Sequence, residues 1–540
     1  MREIVEAAST AKLNTIDRIV AAVNPAAGVR RLRSRAILAM AGAYHGASKK
    51  RKALSEWSPS AGDADADIIA ELPDLRERSR DLERNNPLAT GAINTKCTSI
   101  VGTGLNLNAQ VDRDVLGWDD DFADAWERRT EAEFALFCRY CDVEDVLPFT
   151  PGFQDLSLRS TLINGDVFIL TPMVEDKRTP YRLKLQAVEA DRVSNPNNRA
   201  DTDRLAGGIE KDANGRPIRI HVLKGHPGNP YSSKNEWIPV DIYGAKTGRR
   251  NVIHLFDKKR VGQTRGVPDL APVIEILKQM GRYTDAEVQA AVISSFFTVF
   301  VKSEYGGGGV GNPLLGPMQP TADVGGKTSD KDYKMGSGAI LELLPNEDVT
   351  TANPGRPNDA FDPFVLALSR QIGVALQLPY EILVKHFTAS YSAAQAALLE
   401  AWKFFMTRRV WLAQSLCQLV YELFMTEAVA LGRIYAPGFL TGDPLVREAY
   451  LGADWIGPAR GQIDQKKEID AAAQRVAEGV STLSEETAAL TGGDWSKKHR
   501  QRVKEVRKRV EDGLQPDPSA ATKQAPAPMP APEEDRGDDE

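Results

Sequence analysis

Cysteine is scarce in this chain of 540 residues. The four present, Cys97, Cys138, Cys141 and Cys417, are too few and too scattered for a disulfide framework and read as small buried hydrophobes in a reducing compartment. Long apolar runs are missing as well. The most apolar stretch, residues 290–301, is about half the length a bilayer span needs, so no membrane anchor is expected. The first ten residues are mixed and polar, without the charged, apolar and small-residue succession of a signal peptide, and no export is expected. Positive charge is not in excess: 68 Lys and Arg stand against 74 Asp and Glu, a formal net charge of −6. That balance excludes a generally basic nucleic-acid coat and confines any contact with a polyanion to local clusters.

Reaction motifs are also missing. Gly325-Gly326-Lys327-Thr328 ends like a phosphate-binding loop, but Thr321 stands where the pattern needs glycine, and no apolar strand precedes it. It reads as a flexible loop. Cys138-Arg139-Tyr140-Cys141 supplies two of four zinc ligands with no histidine nearby, so two core thiols at a helix end are expected. The six histidines show no metal spacing, no Gly-x-Ser-x-Gly elbow occurs, and no acid/base pair of carboxylates stands out. Asp63, Asp65 and Asp67 alternate as in a calcium loop but lack its closing glutamate, and read as a solvated linker. No catalytic residue, metal or cofactor is expected, and a chain this long without a reaction motif points to a structural role.

What is present is a soluble, globular composition, 42% hydrophobic and 26% charged, in a chain long enough for two to four lobes. Two helical patterns separated by Asn24-Pro25 occupy residues 1–60, with basic clusters at Arg30, Arg31, Arg33 and Arg35 and at Lys49, Lys50, Arg51 and Lys52. A helix is predicted over 68–84, and Asn86-Pro87 is the start signal of another that ends at Gly102-Thr103-Gly104. Further helices are predicted over 120–139 and 153–163. Between Gly165 and Asp257 the period changes to that of strands, at 167–170, 182–188, 218–223, 237–242 and 252–256. A helix from Pro268 to about Ser295 follows, then a Gly-rich excursion over 304–338 ending in a strand-like 339–344, and a helix from about Asp359. After Pro379 a polar loop leads to a Ser392 cap and a helix over 392–431 that Gly432 stops. Lys497, Lys498, Arg500, Arg502, Lys504, Arg507, Lys508 and Arg509 share one predicted helix. Beyond Gly513 the chain is rich in Pro, Ala, Asp and Glu, with too little apolar content to repay ordering.

Several segments follow one another in a familiar order. They are Leu75-Arg76-Glu77-Arg78-Ser79-Arg80-Asp81-Leu82 through Gly102-Thr103-Gly104, Gly165-Asp166, Glu189-Ala190-Asp191-Arg192, Gly266-Val267-Pro268-Asp269, the run 371–383 with Leu378-Pro379-Tyr380, and Trp455-Ile456-Gly457-Pro458. Over roughly residues 11–480 the chain resembles the lambda-type phage portal proteins. It departs from their pattern at Gln377 where glycine is expected, at His386 where an acidic residue is usual, and at Gln465 where proline is common.

The resemblance implies an α+β, multi-lobed portal fold, mainly helical, ring-forming, with a β-rich wing, a β-containing clip and long stem and crown helices. Mapped by order, residues 1–60 are an N-terminal helical arm, 61–265 the wing, 266–298 a stem helix and 299–357 the clip. Residues 358–391 are a second stem helix with a channel loop, 392–512 the long helix and crown, and 513–540 a disordered tail. The implied function is a ring, typically of twelve subunits, at one capsid vertex of the virion, through which double-stranded DNA is packaged and ejected. It nucleates head assembly in the host cytoplasm with the major capsid or scaffold protein, docks the terminase large subunit, then binds head-completion or adaptor proteins. Residues expected to face DNA are Lys385, His386, Lys497, Lys498, Arg500 and Arg502, because ring symmetry turns each cation into a circle of charge. Another head or connector component, and a packaging enzyme, are the alternatives.

Overall fold

The computed structural model describes residues 64–231, 236–295, 360–386, 391–461 and 464–514, the strand pair at 299–303 and 347–351, and parts of 19–31, 47 and 52–63. The Lys327 loop, the strand at 339–344 and the tail beyond 514 lie outside the described residues, as do His45 and most of the N-terminal basic clusters, while Ser392, expected as a cap, stands inside a helix already under way at Tyr391. By backbone proximity residues 1–63 form one unit and 64–540 a second. In the first, Asn24 Oδ1 accepts from Ala27 N at 3.2 Å, restarting a helical turn at Pro25 as the Asn-Pro pair predicts.

The second unit begins with α1 (Ala64–Ile68), α2 (Leu72–Asn85) and α3 (Pro87–Ile100). The helix predicted over 68–84 begins only at Leu72, because Pro73 has no N–H to continue a ladder and sits in the first turn of a new helix, and the end of the expected linker is itself a short helix, α1. Asn86 caps α3 as expected, its side chain accepting from Leu88 N and Ala89 N. Strand β1 (Asn106–Ala109) and α4 (Arg113–Leu116) lead to α5 (Asp120–Arg139), then α6 (Gln154–Asn164).

The sheet region holds β2 (Asp166–Leu170), β3 (Gln186–Glu189), β4 (Leu205–Ala206), β5 (Ile209–Lys211), β6 (Pro217–Leu223), β7 (Trp237–Asp241) and β8 (Val252–Phe256). It forms two antiparallel sheets, β3-β2-β8 and β4-β5-β6-β7. The predicted strand at 182–188 shrinks to β3, since Leu183 bridges Met173, Leu185 bridges Asp142, and the Arg182 and Leu183 amides donate to the Glu427 carboxylate. Phe168, Val188, Ile209, Ile220, Val222 and Val252 form a small core between the sheets.

The helix predicted from Pro268 starts later. Pro272 lies in a tight turn at Ala271–Val273, and the regular ladder of α7 begins after it (Ile274–Ser295), leading into β9 (Val299–Ser303), paired antiparallel with β10 (Glu347–Thr351). The chain returns in α8 (Phe361–Leu376), where Phe361 stacks on Tyr283 of α7. Next come α9 (Tyr380–Val384) and α10 (Tyr391–Leu412), which passes through a wide turn at Ala413–Cys417 into α11 (Gln418–Ala430). The predicted long helix thus holds, with one turn of i→i+5 bonding that keeps Leu412, Leu416, Val420, Tyr421 and Phe424 inside. Gly432 stops it at φ 68°. The chain closes with α12 (Pro444–Leu451), β11 (Ala453–Ile456), paired with β1, then α13 (Gln465–Ala477), α14 (Leu483–Thr491) and α15 (Trp495–Glu511). The main core is aromatic: Phe134 and Phe137 of α5 pack edge-on or tilted against Phe424, and Trp455 of β11 meets Phe134.

Candidate functional site

The run around Leu378-Pro379-Tyr380 is a double helix stop. At the end of α8 the Leu378 amide donates to Gly373 O at 2.8 Å and Gln377 takes the left-handed conformation at φ 57°. Gly373 is required because a Cβ there would meet Leu378 O at 2.5 Å. One short turn later α9 stops the same way, with Lys385 at φ 57° and the His386 amide donating to Glu381 O at 3.2 Å. Buried Ile382 and Leu383 anchor that turn, so Lys385 and His386 are carried exposed at its tip. Lys385 also borders a groove between α9, α10 and the 458–461 segment.

The second predicted set lies on α15, of which no residue is buried. Asp494 caps it, accepting from Ser496 N at 2.7 Å and Lys497 N at 3.4 Å. Lys497 is not a bare cation: it pairs with Glu131 of α5 at 3.0 Å and with Asp494 at 3.4 Å. Partial burial opposes its charge, but the two carboxylates outweigh that and raise its pKa. Lys498 Nζ donates to Thr491 Oγ1, while Arg500 and Arg502 have no carboxylate partner among the described residues. Among the described residues no hydrogen bond or ion pair joins Lys385 or His386 to α15.

A buried charge network joins residues that no single sequence motif contains. Asp166, fully buried at the start of β2, accepts from Arg265 Nε at 2.6 Å, Arg76 Nη2 at 3.0 Å and His254 Nε2 at 3.2 Å. Burial pushes its pKa up, but the two guanidinium groups prevail and hold it well below the carboxylate range. His254 is stacked between Phe168 and Phe256, at 4.1 and 4.4 Å, and burial lowers its pKa. The signal available in the sequence was the pairing of Gly165-Asp166 with Arg265-Gly266, whose glycines lie so close that a Cβ on Gly266 would meet Gly165 O at 2.0 Å.

Other candidates resolve into structural ties. Asp65 pairs with Lys211 at 2.8 Å and Asp67 with Arg260 at 2.6 Å, so this stretch is cross-linked rather than merely solvated. All four cysteines are free and buried, and burial pushes the Cys141 thiol up to about 12, unlike a ligand thiolate. Glu189, Asp191 and His226 place ligand atoms within 4.8 Å of one another, yet Arg80 Nη2 stands 2.5 Å from Asp191 and 3.4 Å from Glu189 and already supplies the countercharge.

With this geometry in view, a family model described as "Phage portal protein, lambda family" matches residues 50–409. The chain belongs to the lambda family of phage portal proteins. Its relatives include Portal protein B of Escherichia phage lambda, 27% identical over 497 residues, covering 89% of this chain and 92% of that one. The portal protein of Escherichia phage N15 is 26% identical over 485 residues, covering 87% and 90%. Among solved structures, the neck of a native GTA particle computed with C12 symmetry is similar at 12% identity, covering 78% of this chain and 93% of that one, with a TM-score of 0.41. The portal fold here is mainly helical with small antiparallel sheets, as the motif order implies.

Proposed function

We propose that this portal protein works as a closed ring, of about twelve copies as its family resemblance implies, at one vertex of the virion capsid, conducting double-stranded DNA in and out. The observation that carries the ring is the exposed apolar surface of three helices. Val288 of α7, Val374 of α8 and Val410 of α10 are 59, 81 and 49% exposed in the single chain, and neighbouring copies in a ring would cover them. In this reading residues 1–60 are the arm, 61–265 the wing, 266–298 and 358–391 the stem with its channel loop, 299–357 the clip, 392–512 the crown and 513–540 the tail.

The net charge of −6 supports a conduit that does not grip its cargo. DNA held by many phosphate contacts releases counterions and stays bound, whereas a few circles of charge from Lys385, His386 and α15 hold it without stopping it. Scaffold and capsid protein, terminase and head-completion proteins are the partners of the assembled ring, which forms in the host cytoplasm, and bond-breaking is left to them. Electron microscopy of the purified chain tests the reading: a ring with a central hole of duplex width is expected, and a compact monomer or a shell lattice overturns it.

A further inference from the structure

Helix α15 has an apolar stripe with basic borders. At 100° per residue, Trp495, His499, Val503, Val506 and Val510 fall on one face, Lys498, Arg502 and Arg509 on one flank, and Arg500, Lys504 and Arg507 on the other. Trp495 and His499 stack at 4.8 Å, and Val503 remains 53% exposed. A groove of about 800 Å³ follows the stripe, between Leu483 and Thr487 of α14 and Arg502, Val506 and Val510 of α15. Arg507 and Lys508 are paired with Glu511 and Asp512, but Lys498, Arg500, Arg502, Lys504 and Arg509 have no carboxylate partner among the described residues. Five cations on one short exposed helix repel one another unless something negative lies beside them.

The same chain carries the complement. Residues 533–540, Glu-Glu-Asp-Arg-Gly-Asp-Asp-Glu, hold six carboxylates and one arginine. Eighteen residues separate them from Leu514, six of them proline. Such a linker reaches at most about 56 Å at about 3.1 Å per residue, while the 17 residues of α15 cover about 25 Å. The acidic segment therefore reaches every part of the helix at the high effective concentration of an intramolecular contact.

We propose that residues 533–540 dock on the basic flanks of α15 of the same chain and shield it from other polyanions. The contact stands on charge and reach alone; the shielding of DNA rests on the conduit reading. DNA would then have to displace the tail before it could use α15, which would make that ring of charge weaker and more reversible than its bare cation count implies.

A zero-length carbodiimide cross-link between carboxylates and lysines tests the contact in the full chain. Amide links from 533–540 to Lys498 and Lys504 are expected at low salt. They should fade as the Debye length shrinks from about 10 Å at 0.1 M salt to about 3 Å at 1 M, and fall at least about fivefold in R500Q/R502Q/R509Q, which keeps every cross-linkable group and adds none. Links that are absent, or indifferent to salt and to that variant, overturn the proposal. A mixture of isotopically distinct chains that yields mainly interchain links overturns its intrachain form. For shielding, a chain ending at Leu514 should bind a 20-base-pair duplex about tenfold more tightly than the full chain at low salt, and equal affinity overturns it. If neither chain binds the duplex, the conduit reading of α15 fails while the cross-links still decide the contact.

Discussion

Arg265 donates through Nε to Asp166 Oδ2 at 2.6 Å, with the two side chains 3 and 0% exposed. The bond joins the start of β2 to the segment leading into α7, and Arg265 also donates to Val193 O, Gly207 O and Ala190 O. Arg76 of α2 meets the same carboxylate. One buried anion therefore ties a helix, a strand and two loops together. Asp166→Asn keeps the shape but leaves the buried Arg265 guanidinium without its carboxylate, Arg76 retaining Asp191 at 3.4 Å, and breaking a buried pair in this way costs about 3–5 kcal/mol. The expected result is a large drop in the denaturation midpoint with the helical far-UV signal kept at low temperature.

The same network sets a pH dependence. Burial lowers the His254 pKa, so below about 6.5 the unfolded chain takes up a proton that the folded chain refuses, and stability falls as pH falls. Asp166 is depressed too. Its contribution is present above the unfolded carboxylate value of about 3.9 and is lost progressively as pH falls below that value toward the depressed folded one. Both groups act in one direction, the histidine first. Urea unfolding at pH 7, 6 and 5 should show a decline, of at most about 1.4 kcal/mol per pH unit from this one site, and His254→Gln should flatten that part of the curve.

What the sequence made legible was local. Asn86-Pro87, the short, nearly continuous apolar runs of β2 and β8, and the apolar stripe of α10 and α11 carry their structure in neighbouring positions. Pro73 is equally visible, and it is what sets the start of α2 at Leu72. The Asp166 network was illegible because its members lie far apart in the chain, and charges in a sequence do not announce their partners. Lys497 shows the same limit: its spacing places it on a basic helix, but only the fold brings Glu131 to it.

Gln377 was legible as an oddity and acquires a cause. The helix α8 ends with this residue at φ 57°, where a side chain is strained and glycine is not. Gln377→Gly should raise stability by about 0.5–1 kcal/mol, since the strain removed outweighs the extra freedom of the unfolded chain. Gly373→Ala should do the opposite, because its methyl would strike Leu378 O and displace Pro379 and α9 with it. Thermal melts of the two variants should move apart on either side of the parent. A loss of stability in Gln377→Gly would mean that the side chain, not the turn, is what this position needs.

Lys497 and its neighbours Arg500 and Arg502 should separate under mutation. The Lys497 ammonium is spent on Glu131 and Asp494 in a partly exposed setting, a pairing worth under about 1 kcal/mol. Lys497→Met should therefore lower stability slightly and leave duplex binding near the parent value. Arg500→Glu and Arg502→Glu remove no ion pair among the described residues, so stability should hold. Each should reduce the steepness with which duplex affinity falls with salt by about 0.9 for every phosphate no longer neutralised, and packaged heads built with them should lose DNA more readily. If Lys497→Met changes the salt slope and the arginine variants do not, DNA follows the α5 side of α15 and the channel-facing assignment moves there.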